Sequence, residues 1–150
     1  LEVRRRLADL RLESFVKTTG GKGLHVVLPL ESRAGWEEAK AFTRSIAEAM
    51  VKDSPARYVA TMTKSARPGR IFVDYFRNGR GATAVGAYST RAFPNATVSV
   101  PLQWEELSEQ IRSDHFRVGT LVQRLDFLGD DPWREMIKIK QRLPTARKRR

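Results

Sequence analysis

Ser14-Phe-Val-Lys-Thr-Thr-Gly-Gly-Lys-Gly-Leu-His-Val-Val-Leu-Pro-Leu30 places two short apolar runs, Ser14–Lys17 and Leu24–Leu28, on either side of a polar loop. Such a break between two strand-like runs reads as a β-hairpin. The loop holds Thr18, Thr19, Gly20, Gly21, Lys22 and Gly23. Its glycines free the backbone to turn sharply and to present N–H groups with no Cβ in the way. Consecutive N–H donors, two hydroxyls and a lysine point charge make a concavity suited to phosphate. A turn that is merely rich in Gly and Thr is the competing reading, and the loop alone does not choose between them.

The loop is not of the Walker type, because the Gly-x-x-x-x-Gly-Lys-Ser/Thr spacing is absent. A strand rather than a helix follows it, which excludes a Rossmann fingerprint. His25 opens the second strand and by alternation shares a face with Val27, not with Val26. It is either a packing histidine or a ligand contact beside the loop.

At 150 residues and 17.1 kDa the chain fits one domain with its own core. A hydrophobic content of 41% argues against disorder. No apolar run approaches the roughly 20 residues of a membrane span, so no membrane partner is expected. The chain contains no cysteine, which excludes disulfides and thiolate metal sites and suits the cytoplasm. It begins at Leu1 rather than Met, as a fragment would. The net charge of +11 persists in part when Arg142, Arg147, Lys148, Arg149 and Arg150 are set aside, so the body itself is basic. A basic body with a basic tail favours a polyanionic partner, nucleic acid above all.

Val3, Leu7 and Leu10 mark one face of an opening helix, Val3–Leu12. A second helix is expected from Trp36 to about Val51, with Ala39, Phe42, Thr43, Ile46, Ala49 and Met50 on one side, closed by Asp53-Ser-Pro55. Arg57–Met62 is ambiguous, and Thr63–Arg70 is a basic, turn-rich loop. Ile71–Phe76 has the composition of a buried strand. Asp74 interrupts it, and a buried carboxylate there must be hydrogen-bonded, paired with a cation or bound to a metal. With a phosphate loop in the same sheet, a hard divalent cation (magnesium or manganese) becomes one possible partner. Arg77, Asn78, Gly79, Arg80 and Gly81 form a second donor-rich segment. Arg91 is either a surface arginine or a bidentate phosphate clamp.

Thr97–Val100 reads as a strand ending at Pro101, and Trp104–Leu107 as a helical turn. His115 is a surface or packing histidine. Gly119–Leu128 reads as a helix with Leu121, Val122, Leu125 and Leu128 inward. Asp131 and Pro132 suit the N-cap and first position of a last helical segment. Residues 144–150 read as a disordered basic tail, and no internal repeat is found.

The motifs quoted so far, with Ile71–Val85, Ala87–Ala92, Val98–Leu107 and Phe127–Trp133, resemble the polymerase domain of bacterial ligase D, in the archaeo-eukaryotic primase superfamily. The resemblance runs over about residues 3–140. It implies an α+β, primase-like mixed or antiparallel sheet flanked by helices, incomplete relative to the full family domain, over residues 1–143. It also implies metal-dependent, template-dependent nucleotidyl transfer at DNA ends or gaps in non-homologous end joining. The implied cofactor is Mn2+ or Mg2+, with ribonucleoside or deoxyribonucleoside triphosphates as substrates. Implied partners are DNA ends or gapped duplex, a ligase domain and Ku, in a bacterial cytoplasm at the nucleoid.

By this resemblance Thr19, where the family usually carries Ser, would hold the incoming triphosphate with Gly20, Gly21, Lys22 and His25, and Arg91 would contact it. Asp74 would be a metal-binding carboxylate. Arg77, where some relatives carry Gln, and Asn78 would flank the sugar or metal. The family's Asp-x-Asp motif precedes the phosphate loop and is not found here: Asp9 stands alone, and Asp130 and Asp131 are adjacent. Two-metal phosphoryl transfer needs more than one carboxylate. The expectation is therefore the C-terminal part of a polymerase domain, or else a truncated paralogue that binds nucleotide or DNA without turnover. A remnant that only docks onto repair subunits is a third reading. In either of the first two, Asp74 and the loop from Thr19 to His25 are expected to converge on one sheet face.

Overall fold

The computed structural model describes residues 1–144. In chain order it contains α1 (Glu2–Asp9), β1 (Phe15–Thr18), β2 (Leu24–Val27), α2 (Trp36–Asp53), β3 (Tyr58–Val59), β4 (Ile71–Phe72), β5 (Pro101–Leu102) and α3 (Val118–Leu128). Short 3-10 turns span Lys64–Ala66, Trp104–Glu106 and Arg134–Lys138. The fold is α+β, as expected. It divides into two compact units, however: residues 1–29 with 85–141, and 30–84 with the segment that begins at Arg142. The expected tail lies, beyond Pro144, outside the described residues.

The first unit is built on the hairpin. β1 pairs antiparallel with β2, with Lys17 opposite His25 and Thr18 opposite Leu24, and on its other side with β5. Alternation then sorts β1. Val16 points into a core with Val98, Val100, Leu102, Trp104 and Phe116, against which Val26 and Leu121 pack. Lys17 and its register partner His25 belong to the opposite face, which is the face the sequence assigned to His25. Two indoles hold β1 in place: Trp104 Nε1 donates to the Ser14 carbonyl at 2.7 Å and Trp133 Nε1 to that of Val16 at 3.1 Å.

The segment 97–100 does not form a regular ladder. Thr97 and Val98 make isolated bridges, and strand pairing begins at Pro101. Its donors go to several partners, Val98 N–H to Phe116 O and Ser99 N–H to Ser89 O. Pro101, with no N–H to give, sits at the first position of β5, where a strand tolerates it.

α1 stops at Asp9 through a Schellman turn: Arg11 takes φ 58°, its N–H donates to Ala8 O, and Leu12 N–H donates to Leu7 O. Leu7 and Leu12 are buried, whereas Leu10 is exposed. α3 turns a different face inward than its apolar pattern suggests. Arg124 makes a bidentate ion pair with Glu106 at 2.6 and 3.0 Å and lies 4.6 Å over the Phe116 ring. With Arg124 inward, Leu121 and Leu128 flank it at helical spacing, while Val122 and Leu125 are exposed. Asp131 does not cap the last segment: its carboxylate accepts Trp133 N–H at 2.6 Å in an Asx turn, and the segment is a 3-10 turn whose N-cap position is Trp133.

The second unit packs α2 against a two-stranded parallel sheet. Ala47 and Met50 of α2, Tyr58 and Val59 of β3 and Leu143 are its buried residues among those described. β4 pairs with β3, Tyr58 opposite Ile71 and Val59 opposite Phe72. The expected strand Ile71–Phe76 is therefore only two residues long, and Ile71 is exposed. It also belongs to a different sheet from the hairpin.

Candidate functional site

The nine residues singled out by the sequence divide between the two units. Thr19, Gly20, Gly21, Lys22, His25 and Arg91 belong to the first, and Asp74, Arg77 and Asn78 to the second.

In the first unit the loop is held from many sides. Thr19 Oγ1 donates to Gly23 O at 2.9 Å and accepts Gly21 N–H at 3.2 Å, closing the loop on itself. Ser113 and Thr97 hold it from outside. Gly20 N–H donates to Ser113 O at 2.9 Å, Ser113 Oγ donates to Gly21 O at 2.6 Å, and Thr97 Oγ1 donates to Gly20 O. Gly20 has φ 65°, and a Cβ there would stand 2.8 Å from Arg91 Cγ and 3.1 Å from the Val98 carbonyl carbon. Only glycine fits, so the loop chemistry at this position is required by geometry and not by composition. The N–H groups of Gly20 and Gly21 are thus spent inside the protein, and those of Lys22 and Gly23 remain for a ligand at the tip.

Arg91 is half-buried against Gly20, its guanidinium 5.4 Å from the centroid of the exposed Phe93 ring, which in turn borders Gly21. Lys22 is exposed at the loop tip, and His25 is half-buried. Lys17, at the end of the first apolar run, has a role that its place in the strand did not suggest. It is 3% exposed, and its ammonium donates to Val85 O and Ser99 Oγ, each at 2.7 Å. Burial pushes this ammonium down to about 8, and the like charge of Arg91 adds to the shift. No carboxylate pairs with it among the described residues. Three cations thus belong to this segment: Arg91 against Gly20, Lys22 at the tip, and Lys17 buried in the strand that leads into the loop.

The second group differs. Asp74 is exposed, not buried. Its Oδ1 accepts Phe76 N–H at 3.0 Å, and its Oδ2 lies 3.6 Å from Arg77 Nε. This Asx turn bends the chain out of β4, which is why the strand stops at Phe72. Asn78 Nδ2 donates to Tyr75 O at 3.2 Å. Among the described residues there is no group of three or more His, Asp or Glu placed to hold a metal ion. A lone exposed carboxylate does not fit a two-metal centre.

The fold is an α+β domain built on a glycine-rich hairpin with cations beside it. The family described as "LigD, primase-polymerase domain" matches residues 1–133. The chain is 44% identical over 144 residues to the multifunctional non-homologous end joining protein LigD of Pseudomonas aeruginosa, covering 95% of this chain and 17% of that protein. It is 30% identical over 129 residues to the bifunctional LigD of Bacillus subtilis, covering 85% and 21%. Among solved structures, the polymerase domain of Mycobacterium tuberculosis ligase D in complex with DNA superposes with a TM-score of 0.79 at 34% identity, covering 86% of this chain and 45% of that one. The chain belongs to the LigD primase-polymerase domain family. It spans about a fifth of the length of its curated relatives. Among the described residues no helix is long and apolar enough to cross a membrane.

Proposed function

We propose that this chain supplies the triphosphate-holding portion of a primase-type DNA/RNA polymerase module, corresponding to the C-terminal part of a LigD polymerase domain. In this reading the module adds nucleotides at DNA ends or gaps during non-homologous end joining, in a bacterial cytoplasm at the nucleoid, alongside a ligase domain and Ku. The observation that carries it is the anchored Thr19–Gly23 loop with Arg91 packed against Gly20 and Lys22 exposed at its tip, in a member of this family. The N–H groups of Lys22 and Gly23 and the Lys22 ammonium would meet the outer phosphates of a ribo- or deoxyribonucleoside triphosphate, with Arg91 and His25 flanking them. Arg77 and Asn78 belong to the second unit, and their role beside the sugar or metal rests on the family resemblance alone.

A divalent cation, Mn2+ or Mg2+, would supply charge neutralisation at the phosphates. Asp74 is the candidate ligand for it. One exposed carboxylate makes at most a weak, water-dominated cation site, so no step is assigned through the metal. That same observation favours a second reading, a non-catalytic protein that binds nucleotide or DNA.

Primer extension on a gapped, 5′-phosphorylated duplex with manganese and ribonucleotides separates the two. Extension by this chain supports the polymerase module; triphosphate binding without extension supports the second reading. Lys22→Ala should weaken triphosphate binding on the order of tenfold, with little change in melting temperature because Lys22 is exposed. An unchanged affinity would remove the loop from the site.

A further inference from the structure

We propose that Lys17 is a positioning residue for the triphosphate, holding the base of the loop and lending it positive potential from beneath, without touching the ligand. The proposal rests on the triphosphate reading of the loop and goes beyond it, since it concerns a residue of the strand before the loop to which the sequence reading gave no role.

Three observations carry it. Lys17 Nζ is buried and spends two of its three donors on Val85 O and Ser99 Oγ. Ser99 Oγ passes the interaction on, donating to the Thr18 carbonyl at 2.8 Å, immediately before the loop. The ammonium thus fixes the carbonyl from which the loop departs.

The second observation is that the charge is uncompensated. A buried ammonium without a carboxylate is costly, and an apolar side chain of similar length would fill the same space at less cost. The charge that acts on Lys17 is that of another cation, Arg91, from the segment beside the loop; its register partner on β2 is His25.

The third is position. Lys17 and His25 are register partners on the face of the hairpin opposite the core, in the two strands that the loop connects. A ligand bearing several negative charges would relieve the repulsion between Lys17 and Arg91.

Linkage makes this measurable. An anion at the loop favours the charged form of Lys17, so its pKa, about 8 in the free protein, rises on binding. Near that pH the complex must take up a proton, and affinity must fall as the pH rises through about 8. The ordinary histidine value of about 6.5 and a phosphate monoester's second proton near about 6 lie well below this window.

The test is calorimetric titration of the full chain with adenosine triphosphate, whose terminal phosphate loses its last proton at about 6 to 7, between pH 7.5 and 9, in buffers of differing ionisation enthalpy. We expect proton uptake centred near pH 8 in the parent chain. Lys17→Met should abolish the uptake and weaken binding on the order of tenfold at pH 7.5 while still folding. Lys17→Arg, which keeps its charge at all these pH values, should hold the affinity and flatten the pH profile. Tight binding with no proton uptake in the parent overturns the role of Lys17 and leaves the triphosphate loop standing; this arm needs no variant to fold. Absence of adenosine triphosphate binding at every pH overturns the triphosphate reading itself, and this proposal with it.

Discussion

The loop Thr19–His25 and the turn Asp74–Gly81 look alike as sequence: each mixes glycines with cations and small polar residues. They differ in what holds them. The loop is anchored from far away in the chain, by Thr97 across 77 positions and Ser113 across 92, and its Gly20 is enclosed by Arg91 and Val98. The turn is held by its own neighbours, Asp74 to Phe76 and Asn78 to Tyr75, and no atom would meet a Cβ at Gly79 or Gly81. A glycine-rich segment becomes a rigid receptor when distant residues fix it. Local bonds alone leave a surface turn.

The sharpest way to break this comparison is to add one methyl group to each segment. Gly20→Ala places a Cβ at φ 65° and within 2.8 to 3.2 Å of Arg91 and the Val98 backbone. The left-handed conformation and the clash together should cost about 3 kcal/mol, and adenosine triphosphate binding should go with the loop geometry. Gly79→Ala meets open space and should change stability by less than about 0.5 kcal/mol. Chemical denaturation of the two variants decides the matter: equal losses would mean that the loop is no more anchored than the turn.

Next in size is the pH dependence of stability that Lys17 contributes. Its folded value, about 8, lies below its ordinary 10.5. The unfolded chain therefore holds the proton more tightly between those values. The penalty for burying the charge is fully present below about pH 8 and is relieved as the pH rises towards 10.5, so stability should climb across that window by roughly 2 kcal/mol. Lys17→Met lacks this component. Its stability measured against the parent's should be most favourable at pH 7 and should fall off by pH 10; parallel pH profiles for the two proteins would refute the burial of the charge.

Thr19→Val should follow, at about 1 to 2 kcal/mol, because it removes both the donor to Gly23 O and the acceptor for Gly21 N–H. Loss of protection from hydrogen exchange at the Gly21 amide, with the β1–β2 amides unaffected, would locate the effect in the loop.

The hairpin was legible because its signal is local: two apolar runs, a glycine-rich break and alternation that puts His25 opposite the core face. The helices Glu2–Asp9 and Trp36–Asp53 were legible for the same reason. Lys17 was not. In a half-buried strand a lysine reads as an outward, solvated position, and the groups that cover it, Val85 and Ser99, lie 68 and 82 residues away. The inward face of α3 was misread because an ion pair, Arg124 with Glu106, outweighs the apolar pattern. Asp74 was misread differently. Apolar neighbours suggested a buried strand, whereas the turn-forming habit of Asp, followed closely by Asn78 and Gly79, was the better local signal.

That leaves the smallest effect, at Asp74. If this carboxylate only shapes its turn, Asp74→Ala loses one exposed hydrogen bond to Phe76 N–H and a loose ion pair with Arg77 at 3.6 Å. Both are solvent-exposed, and together they should be worth no more than about 0.5 kcal/mol. A single exposed carboxylate should likewise hold Mn2+ so weakly that the cation, or its removal by EDTA, leaves the melting temperature unchanged. A clear rise in melting temperature with Mn2+ that vanishes in Asp74→Ala would show that Asp74 has further ligands beside it. The contrast would then shift: the loop would owe its order to distant protein groups, and the turn would owe its order to the ion.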